Sequence, residues 1–305
     1  MKRRTIQAGT SWRVLVAVFI FMGLAGWCWS QAIIIDHTCT DISKIPSSWL
    51  EQAKQLTLHF AHTSHGSQII TGILSLEELH PQYSVAVNES DTPGLPPVEI
   101  PPALRIYDGN PGTTYVEPEN YWYGIDGLNA TRSVAATGDY NYSMWSWCGQ
   151  LSWYDVSEVQ GYLAAMNQLE QEFPSMRFIY MTGHLDGSGT DGLLNQLNDI
   201  IRQYCRDHNK VLFDFADIES YDPDGNAYLD RWADDGCYYD GGNWAEEWCA
   251  VHPNSELCAY CDCAHSHPLN CNQKSRAFWW MMARLAGWEP DQSSSRSHSR
   301  PFAGP

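Results

Sequence analysis

The stretch LTLHFAHTSHGSQIITGIL, residues 56–74, decides the fold of this chain. It opens with an apolar run, Leu56 to Phe60, whose length and composition are typical of a buried β-strand. A short polar turn with Ser64 and Gly66 follows, and residues 68–74 then have the pattern of a helix. In a parallel sheet, polar side chains on such a turn lie at the carboxyl end of the strand, where sites are built.

The same alternation of strand and helix continues along the chain. Residues 81–140 are the exception, because they are rich in Pro, Gly, Tyr and Asn and predict long loops with little regular structure. We therefore predict a flavodoxin-like α/β/α sandwich with a mostly parallel sheet and long loop insertions. Further strands are expected at residues 33–35, 142–147, 177–181 and 211–215, and further helices at 47–51, 157–173, 193–206 and 275–285.

Both ends of the chain differ from its middle. A basic start, an uncharged apolar run over residues 14–29 and small residues nearby predict a signal peptide at 1–32 and a secreted or periplasmic protein. An uncleaved anchor is the alternative, although the run is short for a membrane span. Residues 33–290 are expected to form one domain without membrane contact after cleavage, and the Ser/Arg/Pro-rich residues 291–305 a disordered tail.

Charge and cysteine content narrow the class of protein. The 305 residues include 36 acidic and 18 basic ones, a net charge of −18, which argues against nucleic acid or anionic membrane as partners. Ten cysteines are present, and Cys28 lies in the predicted leader. In an exported chain the rest are expected to form disulfides, and their odd number leaves at least one free or paired with another chain.

Two segments carry residues suited to nucleophilic catalysis. Ser64 projects from a strand-to-helix turn, where N–H groups at the helix start can hold an oxyanion. Far along the chain, Asp262 precedes His265 by three positions, so it could orient an imidazole that deprotonates the serine. The alternative for Ser64, or for Ser67, is that it only caps the helix.

Together these segments resemble the SGNH (GDSL-like) hydrolase superfamily, with the nucleophilic serine after the first core strand and Asp-x-x-His before the last helix. The similarity covers most of residues 56–287, including the passage Asn198–Arg202 that leads into a strand with Asp214. The chain also departs from the motifs of this superfamily at two places. The usual Gly-Asp-Ser is replaced by His62-Thr63-Ser64, a His-x-Ser-x-Gly variant, and at the position of the usual Gly-x-Asn-Asp the chain has Trp147-Cys148-Gly149-Gln150.

The resemblance implies a secreted serine ester hydrolase with a triad of Ser64, His265 and Asp262, and no cofactor or metal. Gly149 and Gln150 would supply oxyanion donors, while His62 and His184 would lie in the oxyanion or substrate region. Further histidines, His65 and His267, crowd the same loops. The expected substrate is a small-molecule or polysaccharide ester, such as an acyl or acetyl group on a carbohydrate. The oligomeric state stays open.

Three other interpretations remain at this stage. Aromatic residues in the predicted loops favour sugar stacking, so the protein could be a non-catalytic carbohydrate-binding protein, unless those rings fill the core. A zinc-dependent hydrolase is a further alternative, because Cys and His recur from Cys258 to His267 with zinc-like spacing. The segment Asp222–Asn226 resembles part of a calcium loop but is also ordinary turn chemistry.

Overall fold

A computed structural model describes residues 31–290, so most of the predicted signal peptide and the predicted tail lie outside the described residues. Within that range one large sheet has seven strands, all paired in parallel. A separate two-stranded antiparallel ribbon, Tyr238–Tyr239 with Gly242–Asn243, lies in a long connection. The seven strands are β1 (Ile33–Ile35), β2 (Thr57–Ala61), β3 (Val85–Glu89), β4 (Leu104–Asp108), β5 (Tyr142–Trp145), β6 (Arg177–Met181) and β7 (Val211–Phe213).

Helices flank this sheet and confirm the predicted α/β/α sandwich. The second helix packs on the last, which also contacts the first and sixth, while the third, fourth and fifth contact one another in series. No helix of residues 31–290 has both the length and the apolar character needed to cross a bilayer. The α-helices of this range are α1 (Ser47–Ala53), α2 (Ser64–Leu79), α3 (Gly124–Ala135), α4 (Val156–Glu172), α5 (Leu193–Asp207), α6 (Phe215–Glu219), α7 (Trp244–Val251) and α8 (Pro268–Leu285).

The order of the strands in the sheet indicates where the candidate site lies. The sheet runs β1-β7-β6-β5-β2-β4-β3, so the chain first adds β3 and β4 on one side of β2, with β4 between the other two, and then returns to add β5 on the other side. The inner order β4-β2-β5-β6-β7 is that of flavodoxin-like sheets, in which ligands bind at the carboxyl ends of the two strands flanking the reversal. Those strands are β2 and β5, and they are followed by Ser64 and Cys148 respectively.

The prediction of little regular structure over residues 81–140 is wrong in part, because this segment contains β3, β4 and α3. β4 is an inner strand between β2 and β3, with Leu104 and Ile106 fully buried. It is only five residues long and follows a proline-rich segment, so its short apolar signal does not stand out from its surroundings. Residues 90–103 carry no strand or helix, as expected.

α8 is buried on every side over residues 269–283, although this span includes several polar side chains. The central one is Lys274, which is fully buried and pairs with the equally buried Glu219 at the end of α6. The Lys274 ammonium group also donates a hydrogen bond to Gln68 of α2. We refer to Lys274, Glu219 and Gln68 as the buried network.

The buried network holds two loops at the carboxyl edge of the sheet. The second carboxylate oxygen of Glu219 accepts a hydrogen bond from the Leu185 N–H at 2.8 Å, directly after His184. The Gln68 side-chain amide donates to the Ala264 carbonyl at 2.5 Å, directly before His265. One buried charge pair therefore fixes the backbone on both sides of the site, and it must be satisfied because an unpaired buried charge costs several kcal/mol.

We predict that Lys274→Met lowers the free energy of unfolding by about 3–5 kcal/mol, because it leaves the Glu219 carboxylate buried without its partner. The double variant Lys274→Met, Glu219→Leu should recover much of this loss. Urea denaturation measures both. The matched control is Arg132→Met, which removes the partly exposed Arg132–Glu172 pair and should cost about 0–1 kcal/mol. Equal losses in Lys274→Met and Arg132→Met would show that the buried pair has no structural importance.

Candidate active site

Ser64 is the first residue of α2, directly behind the carboxyl end of β2. The N–H groups of the first helical turn have no intrahelical partner, and the N-cap residue Thr63 makes no side-chain capping bond. The Ser67 hydroxyl bonds to the Ser64 carbonyl at 2.6 Å, whereas the Ser64 hydroxyl is not used as a cap. The start of α2 thus presents a serine together with free amide donors, the arrangement that stabilises an oxyanion.

Gly66 allows this tight turn. A Cβ at this position would lie 2.2 Å from the His62 Cβ and 2.9 Å from the Ser146 Cβ, so only glycine fits between β2 and β5 here. His62 itself is buried, with Nε2 2.9 Å from the Asp108 carboxylate and Nδ1 2.7 Å from the Thr63 carbonyl. Burial opposes its charged form, but Asp108 more than compensates and raises the pKa of His62. The structure therefore places His62 beneath the helix start, where it pairs with Asp108 and not with Ser64.

His265 reaches Ser64 from the opposite end of the chain. Its Nε2 lies 2.9 Å from the Ser64 Oγ, within the distance that proton transfer needs. The residue has a left-handed backbone with φ of 63°. Its loop is tied to α8 by the Cys263–Cys271 disulfide and to α2 by Gln68. The structure thus brings together the predicted nucleophile and base.

Asp262 is placed differently from the predicted triad. It is exposed, and within residues 31–290 no hydrogen bond or ion pair joins it to His265. The His265 ring instead stacks on the His65 ring, with centroids 4.5 Å apart and planes within 10°. The His65 Nε2 bonds to the Asp235 carboxylate at 2.9 Å. The carboxylate bonded to these stacked imidazoles is thus Asp235, which sequence reasoning missed.

His184 extends this stack of imidazoles. It follows β6 and packs its ring on His65 with centroids 3.9 Å apart. Its Nδ1 bonds to the Leu185 carbonyl at 2.6 Å, and its buried Nε2 has no hydrogen-bond partner in the described part of the chain. The structure thus places His184 in the stack of imidazoles beside Ser64.

The loop of His184 is supported from below by α5. The side-chain carbonyl of Asn198 accepts from the Gly183 N–H at 2.8 Å. Arg202 holds Asp214 with two hydrogen bonds of 2.7 and 2.8 Å, and Asp214 accepts from the Thr182 hydroxyl at 3.0 Å. These are the residues of the passage Asn198–Arg202 and Asp214 that the sequence singled out, and their contacts order the carboxyl ends of β6 and β7.

Cys148 follows β5 and is the nearest further nucleophile. Its Sγ lies 3.0 Å from the His65 Nδ1 and 3.5 Å from the Ser64 Oγ. Burial opposes the thiolate, but the hydrogen bond from His65, with those from Ser64 and Thr63, lowers the pKa of Cys148 to about 5. Burial likewise opposes the His65 cation, but Asp235 and Cys148 raise the pKa of His65 to about 9. At neutral pH these two groups therefore form a thiolate–imidazolium pair.

Gly149 and Gln150 lie next to this pair. Gly149 begins a short 3-10 helix, Gly149–Ser152, so its N–H has no partner within that helix. The side-chain carbonyl of Gln150 accepts from the Cys148 N–H at 2.9 Å, which leaves its amide nitrogen as the group able to donate. A Cβ on Gly149 would lie 2.9 Å from the indole of Trp153, whose side chain covers this turn and is 71 % exposed. Both residues can therefore contribute donors beside Ser64.

The cysteine-rich segment forms disulfides. Cys249 pairs with Cys258 and Cys263 with Cys271, which removes Cys258 and Cys263 as thiolate ligands for zinc. The candidate calcium loop is a turn, because the Asp222 carboxylate accepts from the backbone N–H groups of Asp224 and Asn226, from the Asn226 side-chain amide and from the Tyr228 hydroxyl. Two clusters of described residues bring ligand atoms within 4.8 Å of one another without disulfides, and these are His65, His184, Asp235 and Asp36, His37, Asp217.

The aromatic residues of the predicted loops divide into two sets. Most belong to the core, as does Trp279 of α8. The exposed set includes Tyr123, Trp153 and Tyr238, each on a connection between elements of the sandwich. The buried set comprises Tyr121, Trp122, Trp145, Trp147, Trp244 and Trp248.

We predict that Gly66→Ala destabilises the protein by about 2 kcal/mol or more, because the new methyl group must displace the start of α2 from β5. Gly161→Ala is the matched control, since this exposed position on α4 has no neighbouring atom within 4 Å of a Cβ. It should stabilise by about 0.5–1 kcal/mol through helix propensity. Thermal unfolding of the two variants distinguishes them, and similar shifts in both would contradict the close approach at Gly66.

Comparison of the chain with protein-family models, with curated proteins and with solved structures gives no match.

Proposed function

We propose that this chain is an exported ester hydrolase of the SGNH type, with Ser64 as nucleophile and His265 as general base and acid. The observation that carries the proposal is the 2.9 Å contact between the Ser64 Oγ and the His265 Nε2 at the start of α2. A serine alone is a weak nucleophile, and an imidazole at this distance is the usual means of activating it.

The proposed reaction has two steps. The Ser64 Oγ attacks the ester carbonyl while His265 takes its proton, and the N–H groups at the start of α2, with Gly149 or Gln150, stabilise the oxyanion. The bond to the leaving alcohol then breaks as His265 returns the proton to that oxygen. In the second step His265 deprotonates a water molecule, which attacks the acyl-serine, and the acid and free Ser64 are released.

Three charged groups lie beneath the His265 ring. The Cys148 thiolate and the Asp235 carboxylate are negative, and the His65 imidazolium between them is positive. The three groups together carry one net negative charge. The His265 ring stacks on the His65 ring of this group. We therefore assign to Asp235 the stabilising role that the Asp-x-x-His spacing suggested for Asp262.

An acyl or acetyl ester of a carbohydrate is the proposed substrate. Exposed aromatic faces stack well on sugar rings, and the Trp153 indole lies over Gly149, next to the proposed oxyanion site. Export is supported by the leader-like start of the sequence and by the two disulfides, since disulfides persist in oxidising compartments.

We expect a fluorophosphonate probe to label Ser64 in the purified protein, and Ser64→Ala to lower the rate of p-nitrophenyl acetate hydrolysis by about 10³-fold or more. Peptide mapping locates the label, and His265→Ala should abolish it. His267→Ala is the matched control, because His267 caps α8 and does not contact Ser64. A folded protein without label on Ser64 would refute the proposal, and saturable glycan binding by that protein would then favour a binding function.

Two carboxylate variants test the assignment of Asp235. Asp262→Asn should change kcat by less than about 3-fold, because the side chain is exposed and no hydrogen bond or ion pair of the described residues joins it to His265. Asp235→Asn should lower kcat by about 10-fold or more, since it removes the negative charge beneath the imidazole stack. Steady-state kinetics on p-nitrophenyl acetate gives both values. The opposite order of effects would restore the triad with Asp262.

A further inference from the structure

A second set of nucleophilic groups lies beside Ser64. The Cys148 Sγ is 3.0 Å from the His65 Nδ1, and the His65 Nε2 is 2.9 Å from the Asp235 carboxylate. This chain of contacts has the order nucleophile, imidazole, carboxylate, which activates thiols in hydrolytic sites. We propose that Cys148, His65 and Asp235 form a second nucleophilic site that accepts acyl groups from activated esters and thioesters without the participation of Ser64.

The state of the cysteines sets Cys148 apart. Within residues 31–290 four cysteines form disulfides and five are free. Four of the free thiols are buried, whereas Cys148 is half-buried. A reactive cysteine needs both a positive neighbour and access to its partner molecule, and of these five thiols Cys148 combines the two. The four buried free cysteines are Cys39, Cys205, Cys237 and Cys261.

The charge states of the pair agree with its geometry. The pKa of Cys148 lies at about 5 and that of His65 at about 9, so the thiolate and the imidazolium coexist across the neutral range. The buried thiols behave in the opposite way, since burial raises the pKa of Cys237 to about 12 and that of Cys261 to about 11. Cys148 is therefore a nucleophile under conditions in which the other free thiols are protonated.

An unpaired polar atom also lies near Cys148. His184 stacks on His65, is 8 % exposed, and has an Nε2 without a hydrogen-bond partner among residues 31–290. A buried polar atom left unsatisfied in this way costs free energy that a bound molecule can restore. Because the Cys148 Sγ is only 3.5 Å from the Ser64 Oγ, a single bound carbonyl carbon is within reach of either nucleophile.

The proposed step balances without an added oxidant or cofactor. The thiolate attacks the carbonyl carbon, a C–S bond forms, and the bond from that carbon to the leaving oxygen or sulfur breaks. His65 gives its Nδ1 proton to the leaving alkoxide or thiolate, which departs as the alcohol or thiol. Deacylation is the slow step, so that the acyl group accumulates on Cys148: neutral His65 deprotonates water, which attacks the thioester, releases the acid and regenerates the thiolate–imidazolium pair.

The first test is the pH profile of alkylation by iodoacetamide, followed at each free cysteine by peptide mass spectrometry. The rate at Cys148 should rise with a midpoint near pH 5, where that thiol ionises. At about pH 6 it should exceed the rate of free glutathione by on the order of ten-fold, because the much larger thiolate fraction outweighs the lower nucleophilicity of a weakly basic thiolate. Asp235→Asn should move the midpoint upward, whereas Asp262→Asn should leave it unchanged.

The second test uses Ser64→Ala, so that its outcome does not depend on the proposed serine chemistry. This variant, mixed with p-nitrophenyl acetate and quenched in acid, should carry an acetyl group on the Cys148 peptide and none on the four buried cysteines. The double variant Ser64→Ala, Cys148→Ala should carry none, and circular dichroism confirms that both fold. Fluorophosphonate labelling of Ser64 in Cys148→Ala checks the serine separately.

The two proposals fail in different ways. Alkylation of Cys148 with the midpoint of an ordinary thiol, near pH 8.5, would overturn the second site whatever happens at Ser64. A Ser64→Ala protein that stays unacetylated while its Cys148 is alkylated at about pH 6 would also overturn acyl acceptance. Acetylated Cys148 together with an unlabelled Ser64 would instead establish the cysteine site and refute the serine one.

Discussion

The buried contact of Lys274 with Glu219 and Gln68 is the interaction on which the site depends. These three side chains come from α8, α6 and α2, and none of them reaches solvent. Full burial of a charge pair is unfavourable unless every polar atom is satisfied, and here the remaining bonds go to the backbone beside His184 and His265. Because the buried lysine must be satisfied, the network that satisfies it also fixes the positions of the two loops that carry His184 and His265. A core of apolar residues alone would leave those loops without this constraint.

Above that network, the carboxyl ends of β2 and β5 bring two nucleophiles together. Ser64 faces an imidazole on the open side, and Cys148 faces an imidazole on the buried side. The two rings stack on each other, so a change in charge on either is felt by the other. The site is therefore one electrostatic unit, in which Asp235 supplies the fixed negative charge. Local unfolding of either histidine loop would disturb both nucleophiles.

Sequence patterns predicted most of the strands and helices but only part of the site. β6 has the predicted bounds of residues 177–181, and α4 begins within a residue of the prediction because Asp155 and Glu158 cap it. β4 escaped notice because five residues after a proline-rich run give too little periodicity. Asp235 could not be recognised, since its bond to His65 spans 170 positions and leaves no local spacing. Asp262 is close to His265 in sequence, yet the backbone at His265 is left-handed. Proximity along the chain therefore does not fix contact between the two side chains.

The all-parallel sheet also determines at what point during synthesis the fold can be completed. β1 pairs with β7, and the contact between Ser64 and His265 spans 201 positions, so early segments find their partners only in segments that are synthesised late. Such distant pairings are slow to form, because the entropy of closing a long loop is lost before the stabilising contacts are made. A chain synthesised only as far as residue 267 lacks α8, and with it the lysine that Glu219 and Gln68 require. Among the described elements α8 is therefore the last to be synthesised, and the contacts that position the His184 and His265 loops can form only after it is present.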